Sequence, residues 1–227
     1  MTRGRRTGAG GPARTLFGEE PASRRSSRFE LTPTVLRAFA LDVEDDLLAA
    51  LEPILAQSPF RHMVTPGGFR MSVAMTNCGA VGWVTDRSGY RYSPTDPAFG
   101  RPWPAMPVAF ARLAMCAAER AGHHGFAPDA CLINRYDPGS KLSLHQDRDE
   151  RDLAAPIVSV SLGLSATFLF GGLTRKDPQQ RHRLVHGDVV VWGGLARLAY
   201  HGVAPLKEGH HPRLGSHRVN LTFRKAL

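Results

Sequence analysis

Residues 134–150, NRYDPGSKLSLHQDRDE, set one histidine, His145, among four carboxylates and the basic side chains of Arg135, Lys141 and Arg148. His145 and Asp147 are two apart, and on a strand or its extended exit that spacing points both side chains to one face. One more histidine would complete the two-histidine, one-carboxylate triad of non-haem Fe(II) oxygenases, a donor set that leaves positions open for cosubstrate and O2. The pair alone carries little weight, because chance supplies about half an H-x-D in a chain of this composition.

A second signal lies near the C-terminus. In HRVNLTFR, Arg218, Asn220, Thr222 and Arg224 alternate with Val219, Leu221 and Phe223, the period of a strand. Two inward arginines are costly unless an anion meets them. A dicarboxylate would satisfy both through the planar, bidentate guanidinium fork. The competing reading, favoured when this segment is taken alone, places them on the solvated face of an edge strand.

These side chains need a scaffold to hold them. From residue 131 onward short β-branched runs alternate with turns: LINRY, IVSVSLG, TFLFGG, HRLVHGDVVVWGG, LAYHGV and HRVNLTFR. Gly and Asp punctuation without a βαβ rhythm predicts an antiparallel barrel or jelly roll over about 131–225. Ahead of it, VEDDLLAALEPILAQ (43–57) has helical spacing, with Pro53 expected to kink or restart the helix. Residues 104–122 read as a second helix ending at Gly122. Between the two, 60–103 is rich in Gly, Pro, Thr and Tyr, with SVAM, VGWVT and YRY as short strands; hairpins and loops forming a lid are expected there. The fold class is mainly β with flanking helices, in one domain over 28–227.

A formal charge of +9 and a pI near 10.2 favour an anionic partner, nucleic acid first. Six arginines against two glutamates in the first 27 residues carry four of those charges, and residues 1–27 are expected to be a disordered basic tail. Gly8–Gly11 and Glu19–Glu20 spoil the amphipathic helix that an organelle transit peptide would need. Cys78, Cys116 and Cys131 are odd in number and scattered, so neither a disulfide framework nor a zinc knuckle is indicated. With no apolar run of membrane-spanning length and no secretory core, a soluble cytoplasmic monomer is expected.

Taken together, CLINRYDPGSKLSLHQDRDE (131–150), PIVSVSLG, FGGLTRKDP, HGDVVVWGG, YHGV and NLTFR closely resemble the AlkB family of Fe(II)- and 2-oxoglutarate-dependent nucleic acid dealkylases. The match runs from about residue 30 to 225 in unbroken order. The resemblance implies a double-stranded β-helix, a cupin-like jelly roll, with an N-terminal nucleotide-recognition lid. It maps the iron onto His145, Asp147 and His201. His201 also suits the role physically, sitting in an apolar strand-like segment, whereas His210 and His211 fall in the loop-like KEGHHPR; His182 and His186, near the barrel strands, are the rivals. The cosubstrate contacts map onto Asn134, Tyr136, Arg218, Asn220 and Arg224, with the arginines clamping 2-oxoglutarate. The base would lie between Trp83 and His145, with Asp149 near its exocyclic amine. Tyr90 and Arg175 resemble residues at the nucleic-acid backbone and pocket rim, and Lys141 and Arg148 could add phosphate contacts. Each of these has an ordinary alternative: Trp83 as core filler, Asp149 as a loop charge, the basic groups as solvated surface.

The implied activity is oxidative demethylation of 1-methyladenine and 3-methylcytosine in DNA, preferably single-stranded, with release of succinate, CO2 and formaldehyde. RNA is the alternative substrate for the same chemistry. A non-catalytic jelly-roll module binding nucleic acid by charge is a different class, against which the intact triad and arginine pair count. A metal nuclease would need a carboxylate-rich site for hard cations.

Overall fold

The computed structural model describes residues 1–2 and 31–227. The basic tail expected over 1–27 therefore lies, apart from its first two residues, outside the described residues.

In chain order the strands are β1 (Thr34–Leu36), β2 (Arg61–Val64), β3 (Arg70–Gly79), β4 (Gly82–Asp86), β5 (Gly89–Ser93), β6 (Thr95–Asp96), β7 (Arg101–Pro102), β8 (Ala130–Tyr136), β9 (Leu142–His145), β10 (Ile157–Gly163), β11 (Ala166–Phe170), β12 (Gln180–Leu184), β13 (Val189–Trp192), β14 (His201–Val203) and β15 (Arg218–Arg224). Two helices, α1 (Glu44–Gln57) and α2 (Val108–Arg120), precede the second half. Each β-rich run read from residue 131 onward became a strand, except HRLVHGDVVVWGG, which the turn at Gly187 divides into β12 and β13.

The strands form two sheets. The larger, ordered β1-β13-β10-β15-β8-β3-β2, faces a smaller sheet ordered β12-β11-β14-β9, while β4–β5 and β6–β7 are separate hairpins. All pairings are antiparallel, as a jelly roll requires. Within the 60–103 segment, β2 and β3 extend the large sheet beside β8, and only β4–β7 stand apart.

Strand alternation assigns the two faces of the large sheet to different tasks. Val219, Leu221 and Phe223 join Cys131, Ile133, Val158 and Val160 in a core covered by α1 and α2; Phe223 meets Phe110 of α2 edge-to-face, centroids 6.0 Å apart. The opposite face turns Leu132, Tyr136 and Ile157 toward Phe168 and Phe170 of the small sheet. β15 is buried on both faces along its whole length, so the edge-strand reading of HRVNLTFR is excluded.

The helices depart from expectation in detail. α1 runs through Pro53 without ending: burial of Leu47, Leu51 and Ile54 against the sheet outweighs the hydrogen bond that proline removes. α2 begins at Val108 rather than 104, because Pro104 and Pro107 bias the residues before them toward extended backbone.

Candidate metal centre and cosubstrate pocket

β9 ends on His145 and β14 begins on His201, and the two are register partners across the small sheet. Asp147 follows β9 by two residues and reaches the same point. One ligand atom from each of the three residues lies within 4.8 Å of the others. His145 Nε2 is 3.5 Å from Asp147 Oδ1 and His201 Nε2 is 3.7 Å from Asp147 Oδ2. The close approach of β14 to β9 depends on Gly202, where an added Cβ would stand 2.6 Å from the Leu142 carbonyl oxygen.

The imidazoles are already oriented. Nδ1 of His145 lies 2.9 Å from the Ser143 carbonyl and Nδ1 of His201 lies 3.0 Å from that of Ala199. Donation from each Nδ1–H to a carbonyl leaves the Nε2 lone pair free, the arrangement usual for metal-binding histidines. Burial, then the neighbouring His145, pushes His201 down to about 3, so it is neutral at physiological pH. Burial works against ionisation of Asp147, but the Arg224 guanidinium and both imidazoles outweigh it and hold the carboxyl well below its usual range. Imidazole nitrogens and an ionised carboxylate suit Fe(II).

The triad opens into a cavity of about 670 Å³ that also contains Asn134, Tyr136, Arg218, Asn220 and Arg224. Arg224 gives Asp147 Oδ2 two hydrogen bonds, of 2.6 and 2.9 Å. Arg218 is only 1% exposed; its Nη2 donates to Ser161 Oγ at 2.9 Å, and its guanidinium carbon lies 5.1 Å from the Tyr136 ring centroid. Its Nε and Nη1 are buried with no hydrogen-bond partner, as is Asn134 Oδ1. A buried cation with idle donors and no carboxylate partner calls for an anion. Asn220 is engaged within the protein: its amide donates to Ser159 Oγ and the Val160 carbonyl and accepts from Thr222 Oγ1.

Trp83, Tyr90, Asp149 and Arg175 line the same cavity, together with Lys141 and Arg148. Trp83 Nε1 donates to Asp149 Oδ2 at 2.9 Å and its ring stacks on Tyr90 at 5.7 Å, so aromatic face and carboxylate are held as a unit. Arg175 packs over the Tyr200 ring, 5.2 Å from its centroid. The rival histidines are elsewhere: His186 stacks on His211, centroids 4.3 Å apart, and neither borders this cavity, nor do His182 and His210. Sequence reasoning missed buried Glu150 and Arg197 and half-buried Tyr92, which form a polar layer behind Asp147 and Arg224. Glu150 ends the quoted motif, but GGLARLAY carries no signal that would single out Arg197.

Residues 33–224 match the model of the 2OG-Fe(II) oxygenase superfamily. The chain is 62% identical over 192 residues to the alpha-ketoglutarate-dependent dioxygenase AlkB of Escherichia coli, covering 85% of this chain and 89% of that one. It belongs to the AlkB family. A homologue from Caulobacter vibrioides is 46% identical over 182 residues, covering 78% of this chain and 81% of its own. The structure of OsALKBH1 superposes with a TM-score of 0.72 at 30% identity, covering 85% of this chain and 97% of that one. A Pseudomonas putida prolyl-4-hydroxylase, 14% identical with a TM-score of 0.53 over 90% of this chain and 98% of that one, shares the fold. As a member of the AlkB family the chain is an Fe(II)- and 2-oxoglutarate-dependent dioxygenase, and that family oxidatively demethylates alkylated nucleic acids. Among the described residues no helix is long and apolar enough to cross a membrane.

Proposed function

We propose that this dioxygenase repairs alkylated DNA by oxidative demethylation of 1-methyladenine and 3-methylcytosine, acting on single strands in the cytoplasm as a monomer. The observation that carries the reading is the Trp83–Asp149 hydrogen bond at the mouth of a cavity that also contains the triad. Methylation at these ring nitrogens makes the base cationic. An aromatic face and a carboxylate complement that charge, and a neutral, unmethylated base gains less from both.

In this reading His145, Asp147 and His201 hold Fe(II), and Arg218, Arg224, Asn134 and Tyr136 hold 2-oxoglutarate, with Asn220 bracing the wall. Iron and 2-oxoglutarate, when bound, would supply insertion of one oxygen atom of O2 into the methyl C–H, the other going to succinate with loss of CO2. The hydroxymethyl group then leaves as formaldehyde and the base returns to its neutral form. Trp83 and His145 sandwich the extruded base, Asp149 orients its exocyclic amine, and Tyr90, Arg175, Lys141 and Arg148 meet the strand. Single strands are favoured because extrusion from a duplex costs unpairing and unstacking. Within 60–103 the β4–β7 hairpins serve as the lid, and about 131–225, extended by β2 and β3, as the catalytic core; the tail over 1–27 adds sequence-independent affinity.

The test is anaerobic reconstitution with Fe(II), then O2, 2-oxoglutarate and a single-stranded DNA oligonucleotide carrying either lesion, with loss of the methyl and formation of succinate scored by mass. Demethylation that requires 2-oxoglutarate is expected. Succinate without demethylation would keep the oxygenase and move the search to RNA or another substrate; the tRNA demethylase abh1 of Schizosaccharomyces pombe is 41% identical over 75 residues, 33% of this chain and 25% of that one. If neither product forms with iron shown to be bound, the enzymatic reading falls and the non-catalytic binding module stands.

A further inference from the structure

Behind the triad lies a buried ionic layer that the proposed chemistry does not use. Glu150 is 7% exposed, and each of its carboxylate oxygens is committed. Oε2 accepts from Arg197 Nη2 at 3.0 Å. Oε1 accepts from the Tyr92 hydroxyl at 2.6 Å and lies 3.3 Å from Arg224 Nε. Arg197 in turn donates through Nη1 to the backbone carbonyl of Asp147 at 2.6 Å and through Nε to that of Ala155 at 2.9 Å. Arg224 is thus shared between two carboxylates, Asp147 on the metal side and Glu150 behind it.

Tyr92 belongs to β5, the strand that also carries Tyr90 and pairs with Trp83 of β4; Trp83 and Tyr92 are register partners. The hairpin that presents the aromatic face to the cavity therefore reaches, through one hydroxyl, the carboxylate that balances Arg224. Burial raises the Tyr92 phenol above its ordinary value, so it stays protonated and can only donate to Glu150.

We propose that Glu150 is a positioning residue of the metal centre, and that the Tyr92 hydrogen bond ties its hold on Arg224 to the β4–β5 hairpin. The Tyr92 hydroxyl occupies Oε1 and limits its pull on Arg224, leaving the guanidinium free to serve Asp147 and the proximal carboxylate of 2-oxoglutarate. Without that hydroxyl, Oε1 competes for Arg224. The inference rests on the reading of the triad as the iron site and Arg224 as a cosubstrate contact.

The decisive variant is Tyr92→Phe, which keeps the ring packed near Val81, Ala130 and Ala226. Anaerobic Fe(II) protein is titrated with 2-oxoglutarate, and the visible charge-transfer absorption of the Fe(II)–2-oxo acid chelate is followed. The expected result is a half-saturation raised about two- to tenfold, the worth of one ordinary hydrogen bond, with a displaced absorption maximum. Glu150→Gln removes the competing charge and should lower the half-saturation instead of raising it. A purely structural role would lower the melting temperature and the active fraction and leave half-saturation and band position unchanged. Wild-type values for both in Tyr92→Phe overturn the proposal, whether or not Glu150→Gln folds. If the wild-type protein itself forms no such chelate, the iron-site reading fails first.

Discussion

Replacing Arg218 by methionine should make the unliganded protein more stable and deaf to its cosubstrate. The guanidinium is buried with a single hydrogen bond, to Ser161, while Nε and Nη1 have no partner. A buried unsatisfied donor costs about 1–3 kcal/mol, and exchange of a buried ionic group for an apolar one of similar volume is often neutral or stabilising by about 1–4 kcal/mol. In a chain of this length each kcal/mol corresponds to roughly 2–4 °C in Tm, so the metal-loaded variant without 2-oxoglutarate should melt at or several degrees above wild type. Loss of one partner of a buried, charge-assisted pair costs about 2–5 kcal/mol in binding, or roughly 30- to 4,000-fold in affinity. The assay is thermal unfolding of the Mn(II)-loaded protein across a 2-oxoglutarate titration. Wild type should gain about 4 kcal/mol at a ligand concentration of 1,000 times its Kd, and the variant about 2 kcal/mol or less at that concentration. A variant that melts well below wild type yet keeps the full ligand-induced shift would refute the argument, because Arg218 would then be paid for within the protein and not by the ligand.

Other outcomes follow from the same geometry. His201→Ala should lose iron-dependent turnover and weaken metal binding as read by equilibrium dialysis; retained activity would reassign the third ligand. Asp149→Ala should impair demethylation more than uncoupled 2-oxoglutarate decarboxylation, and equal losses would remove Asp149 from substrate recognition. Asp96 is buried and accepts from Ser58, from both terminal nitrogens of Arg61 and from the Ala98 amide; burial opposes its charge, but these donors prevail and lower its pKa. Because the folded value lies below the unfolded one of about 3.9, its stabilisation is present above pH 4 and is lost as pH falls through the lowered value. Asp96→Asn should therefore cost about 1.5–3 kcal/mol at neutral pH, with the gap closing below about pH 4 in chemical denaturation; a pH-independent gap would contradict the assignment.

Much of this protein is legible in one dimension because β-structure writes its faces at every second residue. The alternation in HRVNLTFR foretold which side chains of β15 share a face, and the β-rich grammar after residue 131 foretold the jelly roll. The spacing of His145 and Asp147 and the motif set foretold the metal chemistry. The sequence did not decide whether Arg218 and Arg224 faced solvent or a cavity, since an edge strand and a central strand alternate alike. Burial of β15 between β10 and β8 decided that. Nor could local propensity show that α1 would run through Pro53, because the sheet it packs on is assembled from residues far along the chain. His201 was chosen over His182 and His186 by motif; only the β14–β9 pairing, with Gly202 allowing close approach, brings its imidazole to His145. The layer of Tyr92, Glu150 and Arg197 joins a hairpin, a loop and a short turn with no shared period. Its existence depends on three-dimensional charge balance around Asp147, which spacing along a chain does not encode.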